Sequence, residues 1–354
     1  MLRLLVLMLL AAPTLAADYA PDYAMVRPNT PLSFPKDHGA HPDFRTEWWY
    51  ATGWLKTAAG KDLGFQITFF RTSTGLDSKN PSAFTPHQII FAHAALSDPK
   101  HGKLKHAQRI ARAGFGLAET KTTDMTLTLD DWTLTRQKNG QFHAKAKGQD
   151  FALNLTLTPT QPLIQQGQNG YSQKGPNPLE ASHYYTIPQL KVTGQITRNQ
   201  KPEPITGTAW LDREWSSNLL NKNAAGWDWL GLNMDDGSAL TLFQMRHKNG
   251  SKLWAGGSYR PKNGPLTILK PEDITFRPGK AWHSPRTGAT YPIAPILEIN
   301  LPTGRRRLPV KPLMADQELD SRKGGGPVYW EGAVTVPGGR GYLEMTGYLT
   351  PLKM

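Results

Sequence analysis

Met125-Thr126-Leu127-Thr128-Leu129 alternates apolar and polar residues with a period of two. That period is the signature of a half-buried β-strand and places no apolar stripe on a helix. Residues 132–136, 141–147 and 151–158 continue the style as a meander, and 63–71 and 88–96 precede it as strands. Asn139-Gly140 sits between two of these runs, and a hairpin turn of that type needs positive φ at both central positions. Asp236-Gly237, Asn249-Gly250 and Asn263-Gly264 mark turns in the second half, and residues 329–336 and 341–349 read as closing strands. The chain of 354 residues holds 33 glycines and 29 prolines, which suits a loop-rich all-β protein. Residues 106–113 are the one helical expectation.

An internal repeat accompanies this pattern. Tyr50, Leu55, Gly60, Leu63 and Phe65 match Trp227, Leu232, Gly237, Leu240 and Leu242 at one offset of 177 residues (227 minus 50). Any two aromatic hairpins share such a plan, so duplication and coincidence both stay open. Duplication predicts two similar β barrels or sandwiches with a seam near residues 188–204.

The first residues read as a signal peptide. Arg3 precedes the apolar run 4–10, and Thr14-Leu15-Ala16-Ala17 offers small residues for cleavage near Ala16-Ala17. The run is too short to span a bilayer. The chain has no cysteine, so an exported form relies on its core without disulfides. Periplasmic or secreted localisation is expected. The net charge of +13 is scattered, with Arg305-Arg306-Arg307 the only run. Nucleic acid is therefore not an expected partner; a solubilising surface, anionic membrane surfaces and acidic glycans are the alternatives.

Chemistry concentrates in Gly207-Thr208-Ala209-Trp210-Leu211-Asp212-Arg213-Glu214-Trp215-Ser216-Ser217. In an extended strand, Trp210, Asp212 and Glu214 share one face, and Leu211, Arg213 and Trp215 share the other. Charges among tryptophans are costly to bury unless paired. Two readings follow. Arg213 holds a carboxylate from elsewhere in the core as a structural ion pair, or a carboxyl group sits in an apolar pocket to act on a ligand. His183 precedes Asp212 by 29 residues (212 minus 183), and a hairpin brings it beside Asp212. No phosphate-binding glycine loop and no zinc helix is present. Gly170-Tyr171-Ser172-Gln173-Lys174 lacks the final glycine of a nucleophile elbow. His38 and His41 read as loop residues. Neither metal nor organic cofactor is expected.

Several stretches occur together in one order: Glu47-Trp48-Trp49-Tyr50 with Gly53, Ser182-His183-Tyr184-Tyr185, the Gly207–Trp215 stretch, Trp227-Asp228-Trp229, Tyr329-Trp330-Glu331-Gly332, and Gly341-Tyr342-Leu343-Glu344-Met345-Thr346-Gly347-Tyr348. In this order they resemble the AttH-type lipocalin-like family, which is related to the bacterial carotenoid hydratases (hydroxyneurosporene synthases). The resemblance implies two tandem lipocalin-like (calycin) β barrels, spanning residues 18–190 and 191–354 after a signal peptide over 1–17. It implies an apolar lipid or isoprenoid ligand and association with an ABC-type export complex. It brings Glu47, Trp49, Tyr184, Tyr185, Glu214, Trp215 and Trp229 as ligand-binding candidates. In the hydratase branch an acid protonates an isolated alkene, and the matching positions here are Asp212, His183 and Trp210. The hydratases carry tyrosine at the position of Trp210 and an Asp-His-Asn pattern where this chain has Asp212-Arg213-Glu214-Trp215. Ligand binding is therefore the first expectation and cofactor-independent hydration the alternative.

Overall fold

A computed structural model of the chain describes residues 23–76 and 80–353. The expected signal peptide over residues 1–17 lies outside the described residues. Among those described there is no α-helix, only 3-10 turns at Lys36–His38, Pro271–Asp273 and Arg322–Gly324.

The first sheet begins with β1 (Thr46–Thr57), β2 (Asp62–Ser73), β3 (Gln88–Ser97) and β4 (Lys105–Arg112). The meander follows as β5 (Ala118–Thr120), β6 (Thr126–Leu129), β7 (Trp132–Arg136), β8 (Phe142–Lys147) and β9 (Phe151–Thr158). Two short strands, β10 (Ile164–Gln165) and β11 (Tyr171–Gln173), lead to the long hairpin of β12 (Ala181–Arg198) and β13 (Lys201–Asn218). The strand order is β4-β3-β2-β1-β13-β12-β9-β8-β7-β6-β5, and β6 returns against β3 and β4, so the sheet curls into a nearly closed barrel. Its interior is filled by the chain's own side chains, among them Trp49, Phe65, Ile67, Trp132, Leu211 and Trp215.

The second sheet comprises β14 (Ala224–Met234), β15 (Ala239–His247), β16 (Lys252–Arg260) and β17 (Thr267–Leu269). Between β17 and the closing strands lie β18 (Ile274–His283), β19 (Thr290–Leu301) and β20 (Gly304–Pro309), a separate three-stranded sheet. Its apolar side chains, including Tyr291, Leu297 and Ile299, pack against Leu230, Leu242 and Trp330 of the second sheet. Then come β21 (Lys311–Pro312), β22 (Glu318–Asp320), β23 (Val328–Val336) and β24 (Gly339–Met345).

The second sheet runs β17-β16-β15-β14-β24-β23, repeating the order β4-β3-β2-β1-β13-β12 of the first. The repeat read from the sequence is a repeat of register. Tyr50 faces Thr68 and Leu55 faces Leu63 in the β1–β2 hairpin, while Trp227 faces Met245 and Leu232 faces Leu240 in β14–β15. Both partners are displaced by the same 177 residues (227 minus 50 and 245 minus 68).

Two expectations change. Residues 106–113 form no helix: β4 pairs with β3 along its length, turning Ala107 and Ala111 toward the barrel interior and Ile110 outward. The seam expected near 188–204 falls inside the β12–β13 hairpin, both of whose strands belong to the first sheet. The chain passes between sheets after Asn218, ahead of Ala224. Pro188 marks a bulge in that hairpin, and Asn199 and Gln200, both at positive φ, make its turn, so no linker lies there.

Candidate functional site

Alternation on β13 sorts its charges as the sequence indicates. Leu211, Arg213 and Trp215 face the first barrel's interior. Asp212 and Glu214 face away from it, toward the second sheet.

The interior face carries an ion-pair network. Glu47 on β1 is fully buried and pairs with both Arg213 and Arg71. His41 stacks on Trp215 at 3.9 Å and contributes a further contact to Glu47 at 3.4 Å. The Arg213 guanidinium lies over the Trp49 ring at 3.9 Å. Burial alone raises the pKa of a carboxyl group; here Arg213, with His41 and Arg71, outweighs burial and holds Glu47 well below the usual carboxylate range. The partner that Arg213 requires is thus Glu47, a structural pair.

The opposite face lines a cavity of about 180 Å³ between the two sheets. Its walls are mostly aromatic: Trp48, Tyr50 and Phe70 from the first sheet face Trp227, Trp229 and Phe243 from the second. Gln66 and His93 meet Tyr329 across the gap, with His93 Nδ1 2.7 Å from the Tyr329 hydroxyl. Below the cavity the sheets close on each other. A side chain at Gly231 would come within 2.8 Å of the Trp210 ring, and one at Gly64 within 2.5 Å of the Tyr342 hydroxyl.

Four carboxyl groups enter this apolar space. Asp212 accepts hydrogen bonds from the Tyr184 hydroxyl at 2.7 Å, the Thr186 hydroxyl at 2.5 Å and Trp210 Nε1 at 2.8 Å. Tyr184 is itself held by Trp229 Nε1 at 3.1 Å. Burial raises Asp212 to about 7 even against these three donors. Glu214 accepts from Ser182 and pairs with Lys174, whose Nζ lies 2.9 Å from Oε1 and 4.2 Å from the centre of the Phe243 ring. On the facing wall, Glu331 and Glu344 sit directly opposite each other on β23 and β24. Burial also raises Glu344 to about 7, opposed by a hydrogen bond from Trp227 Nε1 at 3.0 Å. Both oxygens of Glu331 are buried without a hydrogen-bond partner, and burial together with the Glu344 charge lifts its pKa far above the carboxylate range. A carboxyl group near 7 in an aromatic cavity is equipped for general acid chemistry at neutral pH.

Of the residues expected at the site, Asp212, Glu214 and Trp229 line the cavity, and Tyr184 and Trp210 hold Asp212 from behind. Glu47, Trp49, Tyr185 and Trp215 belong to the barrel interior. His183 does not meet Asp212. It faces Trp215 in register, packs against Trp215 and Phe44, and is kept neutral by burial, its pKa lowered to about 4. Sequence reasoning missed Glu331, Glu344, Tyr50, Trp227 and Lys174 as site residues. The signal for the two glutamates was present in period two: Tyr329 and Glu331, like Tyr342 and Glu344, alternate with core residues Trp330 and Leu343.

A family model described as AttH-like matches residues 25–348. A crystal structure described as AttH, from Nitrosomonas europaea, is 52% identical, covers 92% of this chain and 99% of its own, and superposes with a TM-score of 0.85. Kievitone hydratase from Nectria haematococca is 14% identical, with 94% and 98% coverage and a TM-score of 0.65. CghA with Sch210972 is 13% identical, with 96% and 97% coverage and a TM-score of 0.52. These last two share the fold. No curated protein sequence matches the chain.

Proposed function

The chain belongs to the AttH-like family, and from that premise we propose that it binds an apolar small molecule between its two sheets and hydrates an alkene of that ligand without a cofactor. One observation carries the reading: Asp212 enters an aromatic cavity with its pKa raised to about 7. At neutral pH a large share of Asp212 is protonated. It donates that proton to one alkene carbon, and the π pair becomes the new C–H bond. The cation left on the neighbouring carbon lies among Tyr50, Trp227 and Trp229, whose faces stabilise positive charge. Water adds to the cation and forms the C–O bond. Its surplus proton passes to a carboxylate, for which Glu344 on the facing wall is placed. The likeness of fold to kievitone hydratase is in keeping with this chemistry.

A second reading is binding alone, favoured by the three donors that hold Asp212 as an anchored acceptor. Native mass spectrometry of the protein loaded from lipid extract, followed by squalene turnover in heavy water, separates the two. Hydration predicts a bound apolar ligand and a hydrated product carrying deuterium at the protonated carbon, both product and label lost in Asp212→Asn. A stoichiometric ligand recovered unchanged supports binding alone. No apolar ligand at all overturns both.

A further inference from the structure

The aromatic wall of the cavity continues to the molecular surface. Trp48 on β1 faces Phe70 on β2, Phe70 faces Phe91 on β3, and Phe91 faces Ile110 on β4. Residues paired directly across strands share a sheet face, so these four form one apolar row. Trp48, Phe70 and Phe91 line the cavity, the Phe70 and Phe91 rings stacking at 4.5 Å. Ile110, on the edge strand, is 56% exposed. Beside it two loop phenylalanines stand in solvent: Phe84 is 76% exposed and Phe115 is 60% exposed, and their rings stack at 5.6 Å. Arg112 fixes this arrangement. Its guanidinium lies 4.5 Å from the Phe115 ring centre and donates to the carbonyls of Ala83, Phe84 and Thr85.

Exposed apolar groups arranged this way are presented, not packed. The strand beside them is basic in sequence: residues 99–118 hold Lys100, Lys103, Lys105, Arg109 and Arg112 and no Asp or Glu, with Arg109 paired to Asp130 and Asp131 of the neighbouring turn. Apolar side chains set among cations are what an anionic bilayer surface takes up: the cations meet the headgroups and the apolar groups enter the acyl boundary.

We propose that Ile110, Phe84, Phe115 and the surrounding basic strand form a docking surface for anionic lipid bilayers. The Trp48–Phe70–Phe91–Ile110 row is then the path by which an apolar ligand leaves the bilayer for the cavity; this second clause rests on the ligand reading above. Docking is tested by flotation of the full chain with vesicles of phosphatidylcholine and phosphatidylglycerol in equal parts, and with phosphatidylcholine alone. The wild type floats with the mixed vesicles and less so as salt is raised. The triple variant Phe84→Ser, Ile110→Ser and Phe115→Ser loses that affinity by at least about tenfold, with thermal midpoint and circular dichroism unchanged. Phe84→Ser alone, at the most exposed position, gives a partial loss and guards against misfolding of the triple variant. No flotation with mixed vesicles overturns the proposal, as does undiminished flotation of the triple variant. Concentration-dependent self-association that the triple variant abolishes, without flotation, assigns the patch to protein contact instead. A wild type that floats but loads no apolar ligand overturns the cavity reading and leaves docking intact; one that loads ligand from extract but does not float overturns docking alone.

Discussion

At the scale of single residues, Asp212 and Glu47 show the same chemical group with opposite stability consequences. Burial raises Asp212 from 3.8 to about 7 in the fold. A group with a raised pKa binds its proton more tightly when folded, so its contribution is fully present below about 4 and is lost as pH rises toward about 7. Glu344 acts in the same direction. Asparagine at 212 has the shape of the neutral acid and no proton to lose, and the Tyr184 and Thr186 hydroxyls can turn to accept from its amide. Asp212→Asn should therefore match the wild type in thermal midpoint near pH 4. It should gain on the wild type by up to about 1.4 kcal/mol per pH unit as pH rises to neutrality. Parallel melting curves, or a variant that melts far below the wild type throughout, would sink this account. Glu47 is the reverse: its depressed pKa contributes stability present above 4.5 and lost only as pH falls below that value. Glu47→Gln strands Arg71 and Arg213 in the barrel interior, and chemical denaturation should show a loss of about 3–5 kcal/mol. A loss below the error of the measurement would show that the pair is dispensable.

At the scale of elements, the cavity depends on how far two sheets stand apart. They touch where glycine permits it, at Gly231 under Trp210 and at Gly64 under Tyr342, and they part where Trp48, Trp227 and Phe243 occupy the corresponding space. Gly231→Val inserts a branched side chain against the Trp229 and Trp210 rings. A urea midpoint lowered by about 1–3 kcal/mol of stability is expected, with ligand loading reduced because Trp210 can no longer hold Asp212. Unchanged stability and loading would mean that the sheets do not close at this point. The repeated hairpin register gives this seam its near symmetry: β1–β2 and β14–β15 carry the same pairing on opposite walls.

At the scale of the whole molecule, the site belongs to neither sheet alone. Asp212 and Glu214 come from the first, Glu331 and Glu344 from the second, and Lys174 from the connection ahead of the long hairpin. The barrel interior is packed with side chains, so the cavity proposed for the ligand lies on the outer face of the barrel, where the second sheet covers it. We propose that the protein reaches this assembly outside the cytoplasm. Fractionation with N-terminal sequencing should recover a periplasmic or secreted form that begins near Ala17 or Asp18. A cytoplasmic protein that retains Met1 would refute the proposal.

The all-β class, the hairpin repeat and the two faces of β13 were legible in the sequence, because period-two patterning and Asn-Gly turns are local properties of the backbone. Which residues meet across strands was not. From the turn at Asn199-Gln200, β12 and β13 pair with residue numbers summing to 399, as in Leu190 with Ala209. Continued unbroken, that register would set His183 opposite Ser216 and on the face of Asp212. A bulge between Ile187 and Leu190 changes the sum to 398, so His183 faces Trp215 and turns into the barrel, while Tyr184 and Thr186 turn to Asp212. One extra residue exchanges the two faces of a strand. The bulge is held from the second sheet: Gln189, at φ 54°, donates its backbone N–H to Asn233 Oδ1 at 2.7 Å and its side-chain amide to the Met234 carbonyl at 2.9 Å. Composition and periodicity determined the strands, but the faces that His183, Tyr184 and Tyr185 present toward β13 were decided by a bulge held by hydrogen bonds between segments 44 and 45 residues apart.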